Sequence, residues 1–309
     1  MKKLTVCLAL TCLIVAVAVL SGCGGIKTKT GSQKKSVVDS AATNKVQVGD
    51  IEMAYKTIGE GYPLVMIMGF SGTMDLWDPR FVEKLSSKYK VIVFDNRGMG
   101  ETTAGSKEFT IEQFADDTAG LMKALGINKA YVLGWSMGGD VALQFVVSHK
   151  EMVNKLVVYA GDCGGTQRVM TPEVTREITE MADPSTPPQA AFKVLFPEEW
   201  MKAHPNFYKT FPVPKETSSP ESVKRQGQAY LSWDGVYDRL PEVKSPTLIA
   251  TGTEDISTPT GNAMILVERI PGSWLVRYKG AGHGLMYQYP DDFAKTILDF
   301  LGRSEGKGS

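Results

Sequence analysis

Cysteine and histidine are scarce in this chain, with four Cys and three His in 309 residues. Cys7, Cys12 and Cys23 all fall at the extreme N-terminus, which leaves Cys163 as the single thiol of everything that follows. A disulfide framework is therefore excluded, and the fold must rest on its core. No paired Cys–His motif accompanies the remaining thiol, and no phosphate-binding loop occurs. Charge of one sign is lacking too: 34 Lys and Arg stand against 34 Asp and Glu. That balance gives no footing to a nucleic acid or another polyanion as partner. No internal repeat is present, and no pattern specifies an oligomer. Hydrophobic residues make up 43% and charged residues 22%, an ordinary globular composition, in a length that allows a large α/β domain with an insertion.

One long apolar run exists, from Leu4 to Leu20, behind Lys2 and Lys3 and ahead of small residues. This is the layout of a secretory signal. At 17 residues the run is short for a membrane-spanning helix. Leu20-Ser21-Gly22-Cys23 resembles the lipobox of prokaryotic lipoproteins, which implies cleavage of residues 1–22, lipid on Cys23 and an extracytoplasmic, membrane-attached protein. Losing Lys2 and Lys3 would leave 32 basic residues against 34 acidic, a net charge of −2. Residues 23–45 are polar and free of aromatics and read as a flexible tether.

From Val46 the pattern becomes regular. "VQVGDIEMAYKTIG" predicts two strands around a Gly49-Asp50 turn. "PLVMIM", "VIVFD", "AYVLGW", "KLVVYAG" and "PTLIATG" are continuous apolar runs, expected for strands covered on both faces, and "SWLVRYKG" supplies a last strand. Helices are predicted around "DPRFVEKLSSK", in "TIEQFADDTAGLMKALG" with Thr110 and Gln113 as a capping box and Gly126 as the stop, near "TGNAMILVERI", and in "PDDFAKTILDFLG". Alternating strands and helices predict an α/β fold, a mostly parallel eight-stranded sheet with helices on both faces, built from 46–162 and 237–303. Between them, 163–236 lacks a buried strand but holds Phe192, Phe196, Trp200, Phe207, Tyr208 and Trp233. It reads as a helical cap.

The stretch "YVLGWSMGGD" holds Gly134-Trp135-Ser136-Met137-Gly138, a G-x-S-x-G motif. The bare pattern is common in a chain with 31 glycines. Its position, where a predicted strand ends and a predicted helix begins, gives it chemical sense. A strained turn there would lift the serine hydroxyl above the sheet edge, with helix N-terminal amides beside it. A serine nucleophile needs a base, and the base needs an orienting acid. His149 sits at a helix end and His204 in the insertion. His283, in "GAGHGL" after the last strand, is the candidate base. Asp255, just past the strand "PTLIATG", is the candidate acid, and Asp162, after "LVVYAG", is the alternative. Each of these residues taken singly fits a surface or turn role, and the chain order Ser136, Asp255, His283 is what selects them.

With these residues in place the sequence resembles the α/β-hydrolase superfamily over nearly all of 46–303. Asp95, Arg97, Gly98, Gly100 and Thr102 match its D-x-R-G-x-G-x-S/T segment, and Gly252, Asp255 and Pro259 its G-x-x-D-x-x-x-P pattern. "MGFSGTMDLW" occupies the place of its H-G loop, with Gly69 retained and Met68 where histidine is usual. The resemblance implies an oxyanion hole formed by the backbone N–H groups of Phe70 and Met137, a structural role for Arg97, and acyl transfer to water without a metal or organic cofactor. The expected substrate is a small to medium, apolar acyl compound admitted by the aromatic cap. Serine at the elbow disfavours dehalogenase and epoxide hydrolase chemistry. Cofactor-free haloperoxidases (perhydrolases) and C–C bond hydrolases share every motif quoted and remain alternatives. A lipid-anchored, non-catalytic binding module is the alternative of another class.

Overall fold

The computed structural model describes residues 36–181, 183 and 190–304. The expected signal, 1–22, and the lipidation candidate Cys23 lie outside the described residues. The expected tether, 23–45, divides. Its last ten residues are structured: Ser36 caps a single helical turn, α1 (Val37–Ser40), by accepting from the Asp39 N–H, Val38 is buried, and Asn44 and Lys45 already belong to the first strand. One buried valine in a polar run has no periodicity to betray it.

Eight strands follow: β1 (Asn44–Val48), β2 (Ile51–Ile58), β3 (Tyr62–Ile67), β4 (Tyr89–Phe94), β5 (Ala130–Trp135), β6 (Val153–Tyr159), β7 (Thr247–Gly252) and β8 (Trp274–Tyr278). They form one sheet in the order β1-β2-β4-β3-β5-β6-β7-β8. β1 and β2 pair antiparallel around the Gly49-Asp50 turn, and β2 pairs antiparallel with β4. Every later pairing is parallel. The helices are α2 (Pro79–Ser86), α3 (Ile111–Ala124), α4 (Met137–Ser148), α5 (Pro172–Met181), α6 (Ala190–Leu195), α7 (Glu198–Ala203), α8 (Pro220–Ser232), α9 (Thr260–Arg269), α10 (Leu285–Gln288) and α11 (Pro290–Gly302). The α/β class and the eight-stranded, mostly parallel sheet expected from the sequence are the architecture found.

Successive side chains of the central strands enter opposite cores, as the two-residue period requires. Val132 of β5 joins Phe114 of α3 and Phe145 of α4, whereas Leu133 and Trp135 join Phe81 of α2 and Phe293 of α11. The start of α3 departs in one detail from a capping box. Thr110 Oγ1 accepts from the Gln113 N–H, but the Gln113 carboxamide turns away to Asp117.

Between β6 and β7 the described residues contain no strand, only α5 to α8 and short 3-10 turns. The two ends of this excursion meet: the Val236 N–H donates to Cys163 O at 2.8 Å, and the Gly165 N–H to Trp233 O at 3.2 Å. Its aromatics stack chiefly on one another. Phe192 packs on Phe207 and Phe211, and Phe196 on Trp200, all with ring centroids about 5 Å apart. Trp233 is buried and donates to Gln144 of α4, while Tyr208 is exposed.

Candidate active site

Ser136 stands between β5 and α4 with φ 57° and ψ −131°. A non-glycine residue reaches that region only under strain. The crowding has a visible cause: a Cβ at Gly134 would lie 2.0 Å from Gly138 O, and one at Gly138 would lie 2.1 Å from Ile67 O. The glycines of the motif thus let α4 start directly against β5 and the end of β3. Ser136 remains half-buried, at the N-terminus of a twelve-residue helix.

The loops after β7 and β8 are stitched together. Thr253 N–H donates to Tyr278 O, Glu254 N–H to Ala281 O, and Gly280 N–H to Thr253 Oγ1. This brings Asp255 onto His283, whose Nδ1 lies 3.1 and 2.9 Å from the two carboxylate oxygens. Both residues are buried, and the Thr258 N–H holds Asp255 Oδ1 at 2.7 Å. Such a carboxylate favours the tautomer protonated on Nδ1, which makes Nε2 the basic nitrogen. Two donors fix the His283 carbonyl: Tyr159 Oη at 2.6 Å and Trp135 Nε1 at 3.2 Å. Trp135 immediately precedes Ser136 and its ring lies 5.6 Å from the imidazole, so the histidine loop is fastened to the strand that carries the serine.

On the other side of the serine runs the turn after β3. A Cβ at Gly69 would lie 3.6 Å from Ser136 Oγ, so the hydroxyl abuts this turn. Among the described residues no hydrogen bond leaves the N–H of Phe70 or of Met137. Met68, in the usual place of histidine, is buried and packs beneath Gly72. Its carbonyl accepts from Asn96 Nδ2 at 3.0 Å, a tie that nothing in the bare sequence announced. Three described non-glycine residues have positive φ: Ser71, Ser136 and Ala160. They follow β3, β5 and β6, three neighbours in the sheet, so the backbone strain gathers around one point of its C-terminal edge.

A sequence model of the family described as "alpha/beta hydrolase fold" matches residues 62–290. The chain belongs to this family. Carbamate hydrolase RutD of Azorhizobium caulinodans, so named provisionally, is 25% identical over 82% of the chain and 96% of its own length. A provisionally named non-heme chloroperoxidase of Synechocystis is 26% identical over 81% of the chain and 95% of its own. Among solved structures, a thermophilic esterase of Thermogutta terrifontis superposes with a TM-score of 0.73 at 27% identity, covering 85% of this chain and 98% of that one. The protein is a hydrolase of this fold.

The other sequence candidates take different places in the hydrolase. Asp162 accepts from the Gly164 N–H and from Tyr230 Oη, while Asp255 is the carboxylate bonded to Nδ1 of His283. Asp140, on the first turn of α4, accepts from the Asp162 N–H. Burial, followed by the charge of Asp162, holds its carboxyl well above the usual range, and burial raises Asp162 as well. His149 ends α4 and faces Asp116. His204 stacks on Trp200 and bonds its carbonyl. Arg97 is fully buried and makes double contacts to both Asp50 and Asp117, which makes it a clamp between the β1–β2 turn and α3. Cys163 is buried, and desolvation pushes its thiol up to about 12, so it is protonated at neutral pH. A cavity of about 340 Å³ lies between the cap and core, lined by Trp200, Phe207, Phe211 and Tyr287 with Asp78 and Arg80 at its side.

Proposed function

We propose that the chain is a serine hydrolase of ester or related acyl substrates. In this reading Ser136 is the nucleophile, His283 the base and Asp255 the acid that orients it. His283 removes the hydroxyl proton as Ser136 attacks the carbonyl carbon, and Asp255 stabilises the imidazolium that forms. The N–H groups of Phe70 and Met137 receive the oxyanion, each worth ~3–4 kcal/mol in the transition state. The leaving group takes the proton from His283, and water, activated by the same nitrogen, releases the acyl group from Ser136. The observation that carries the reading is the Asp255–His283 pair, tied through Trp135 to a strained, half-buried serine. The curated relative's name adds carbamates to the acyl groups worth testing.

A perhydrolase is the second reading, favoured by the likeness to the chloroperoxidase. It shares the acyl-serine and differs in hydrogen peroxide replacing water as its acceptor. We further propose that residues 1–22 are cleaved and that lipid on Cys23 holds the enzyme at an extracytoplasmic membrane face. The support is the order of Lys2 and Lys3, the apolar run and Leu20-Ser21-Gly22-Cys23. Among the described residues no helix is long and apolar enough to cross a membrane.

Active-site titration of the full-length chain with a fluorophosphonate probe tests the serine reading. One equivalent is expected to label wild type and none Ser136→Ala. A folded wild type that takes no probe would overturn it in favour of a binding module. Hydrolysis rates with and without peroxide then separate the two enzymatic readings.

A further inference from the structure

Gln226 lies on α8 of the cap and is completely buried. Its Oε1 accepts from the Ser71 N–H at 2.6 Å, in the same turn as Phe70. One helical turn further on, Tyr230 donates to Asp162. These two anchors sit past β3 and past β6, and β5 runs between those strands. The segment of α8 from Gln226 to Tyr230 therefore spans the end of β5, where Ser136 stands.

The orientation of the carboxamide follows from chemistry. A backbone N–H can only donate, so the atom facing Ser71 is the oxygen, and the NH₂ points the other way. That Nε2 is buried and has no hydrogen-bond partner among the described residues. Buried donors in native proteins are nearly always satisfied, and one that is not asks for an explanation. A methionine or leucine would fill the same space without the desolvation penalty. Ser71 itself is strained, at φ 57°, so the cap glutamine braces a loop already under tension, beside the amide assigned to the oxyanion.

We propose that Gln226 is a substrate-binding, specificity-determining residue: its Nε2 donates to a second oxygen acceptor carried on the acyl chain, close to the scissile carbonyl. This rests on the serine-hydrolase reading and narrows its substrates from simple apolar esters to acyl compounds with an ether, hydroxyl, keto or amide oxygen a few bonds from the carbonyl carbon. The orphaned donor is then satisfied only in the complex. A substrate lacking the oxygen leaves it unpaired, which is how a buried polar group discriminates between near-isosteres.

The test uses the full-length protein, with rates expressed per serine titrated by fluorophosphonate. p-Nitrophenyl pentanoate is compared with its oxygen-substituted isosteres, the 3-methoxypropanoate and the 2-ethoxyacetate, for wild type, Gln226→Leu and Gln226→Glu. The loss of kcat/KM on one of the oxygenated esters is expected to exceed the loss on pentanoate by about tenfold in Gln226→Leu. Gln226→Glu retains an acceptor for the Ser71 N–H but has no amide donor, and the same discrimination is expected to disappear. Equal losses on all three esters would mean that Gln226 only braces the loop. No change on any would mean that Gln226 neither meets substrate nor supports the loop during turnover. Either result overturns the assignment while leaving the serine reading intact. A wild type that takes no probe overturns both.

Discussion

Tyr159 shows how much of the site rests on residues that do no chemistry. Its hydroxyl donates to the His283 carbonyl and accepts from the Met286 N–H at 3.2 Å, so one buried phenol fixes both ends of the turn that carries the imidazole. Tyr159→Phe removes both bonds and leaves Trp135 as the remaining donor. The expected result is a fall in kcat of about tenfold with a smaller change in KM, since the ring is mis-set rather than the pocket reshaped. Asp95 behaves differently. Burial raises it to about 6, against the opposing pull of hydrogen bonds from the Met74 and Glu101 N–H groups. In the unfolded chain it titrates near 3.8. Between those values the folded state binds the extra proton, so the contribution of Asp95 to stability is full below the lower value and is lost as pH rises through the higher one. The stability difference between wild type and Asp95→Asn, from denaturant titrations, is expected to be ~2 kcal/mol more favourable to wild type at pH 4.5 than at pH 7.5.

At the scale of elements, the site is a meeting of loops whose strands are each held from below. Arg97 joins the β1–β2 turn to α3 through Asp50 and Asp117 and also donates to Ala104 O. Burial opposes its charge, but the paired carboxylates outweigh that and raise its pKa. Arg97→Met would remove the cationic partner of two carboxylates, one of them buried, at a cost of about 3–5 kcal/mol. The denaturant midpoint is expected to drop accordingly, while the fraction that remains folded still takes the fluorophosphonate, because Arg97 touches none of the site residues. The cap is docked on the histidine loop directly: the Gly284 N–H donates to Leu195 O at 2.7 Å, and Phe196 packs on Tyr287.

For the whole molecule, the folded domain and the N-terminal segment pose separate questions. The domain begins earlier than polarity suggested, at α1, where Lys215 of the cap pairs with Asp39 and Asp75. The leader is tested in cells. Incorporation of radiolabelled palmitate into the full-length chain is expected to be lost in Cys23→Ser. Retention of the label would refute lipid attachment at that cysteine.

The sequence alone determined the layers and the order of elements. Continuous apolar runs alternating with amphipathic stretches can be satisfied only by a parallel sheet covered on both faces. It also determined which serine, histidine and aspartate to examine, because a G-x-S-x-G between strand and helix and two polar residues past later strands leave a local trace. What it left open was every contact made across the sheet. The choice of Asp255 over Asp162 as partner of His283 depends on the stitching of the β7 and β8 loops. The hydrogen bonds from Tyr159 and Trp135, the tie from Asn96 to Met68, and the bond from the Ser71 N–H to Gln226 join residues 28 to 155 positions apart. Local patterns record a segment's own periodicity and turns. They do not record where a buried polar group finds its partner, and that is decided only when the chain closes on itself.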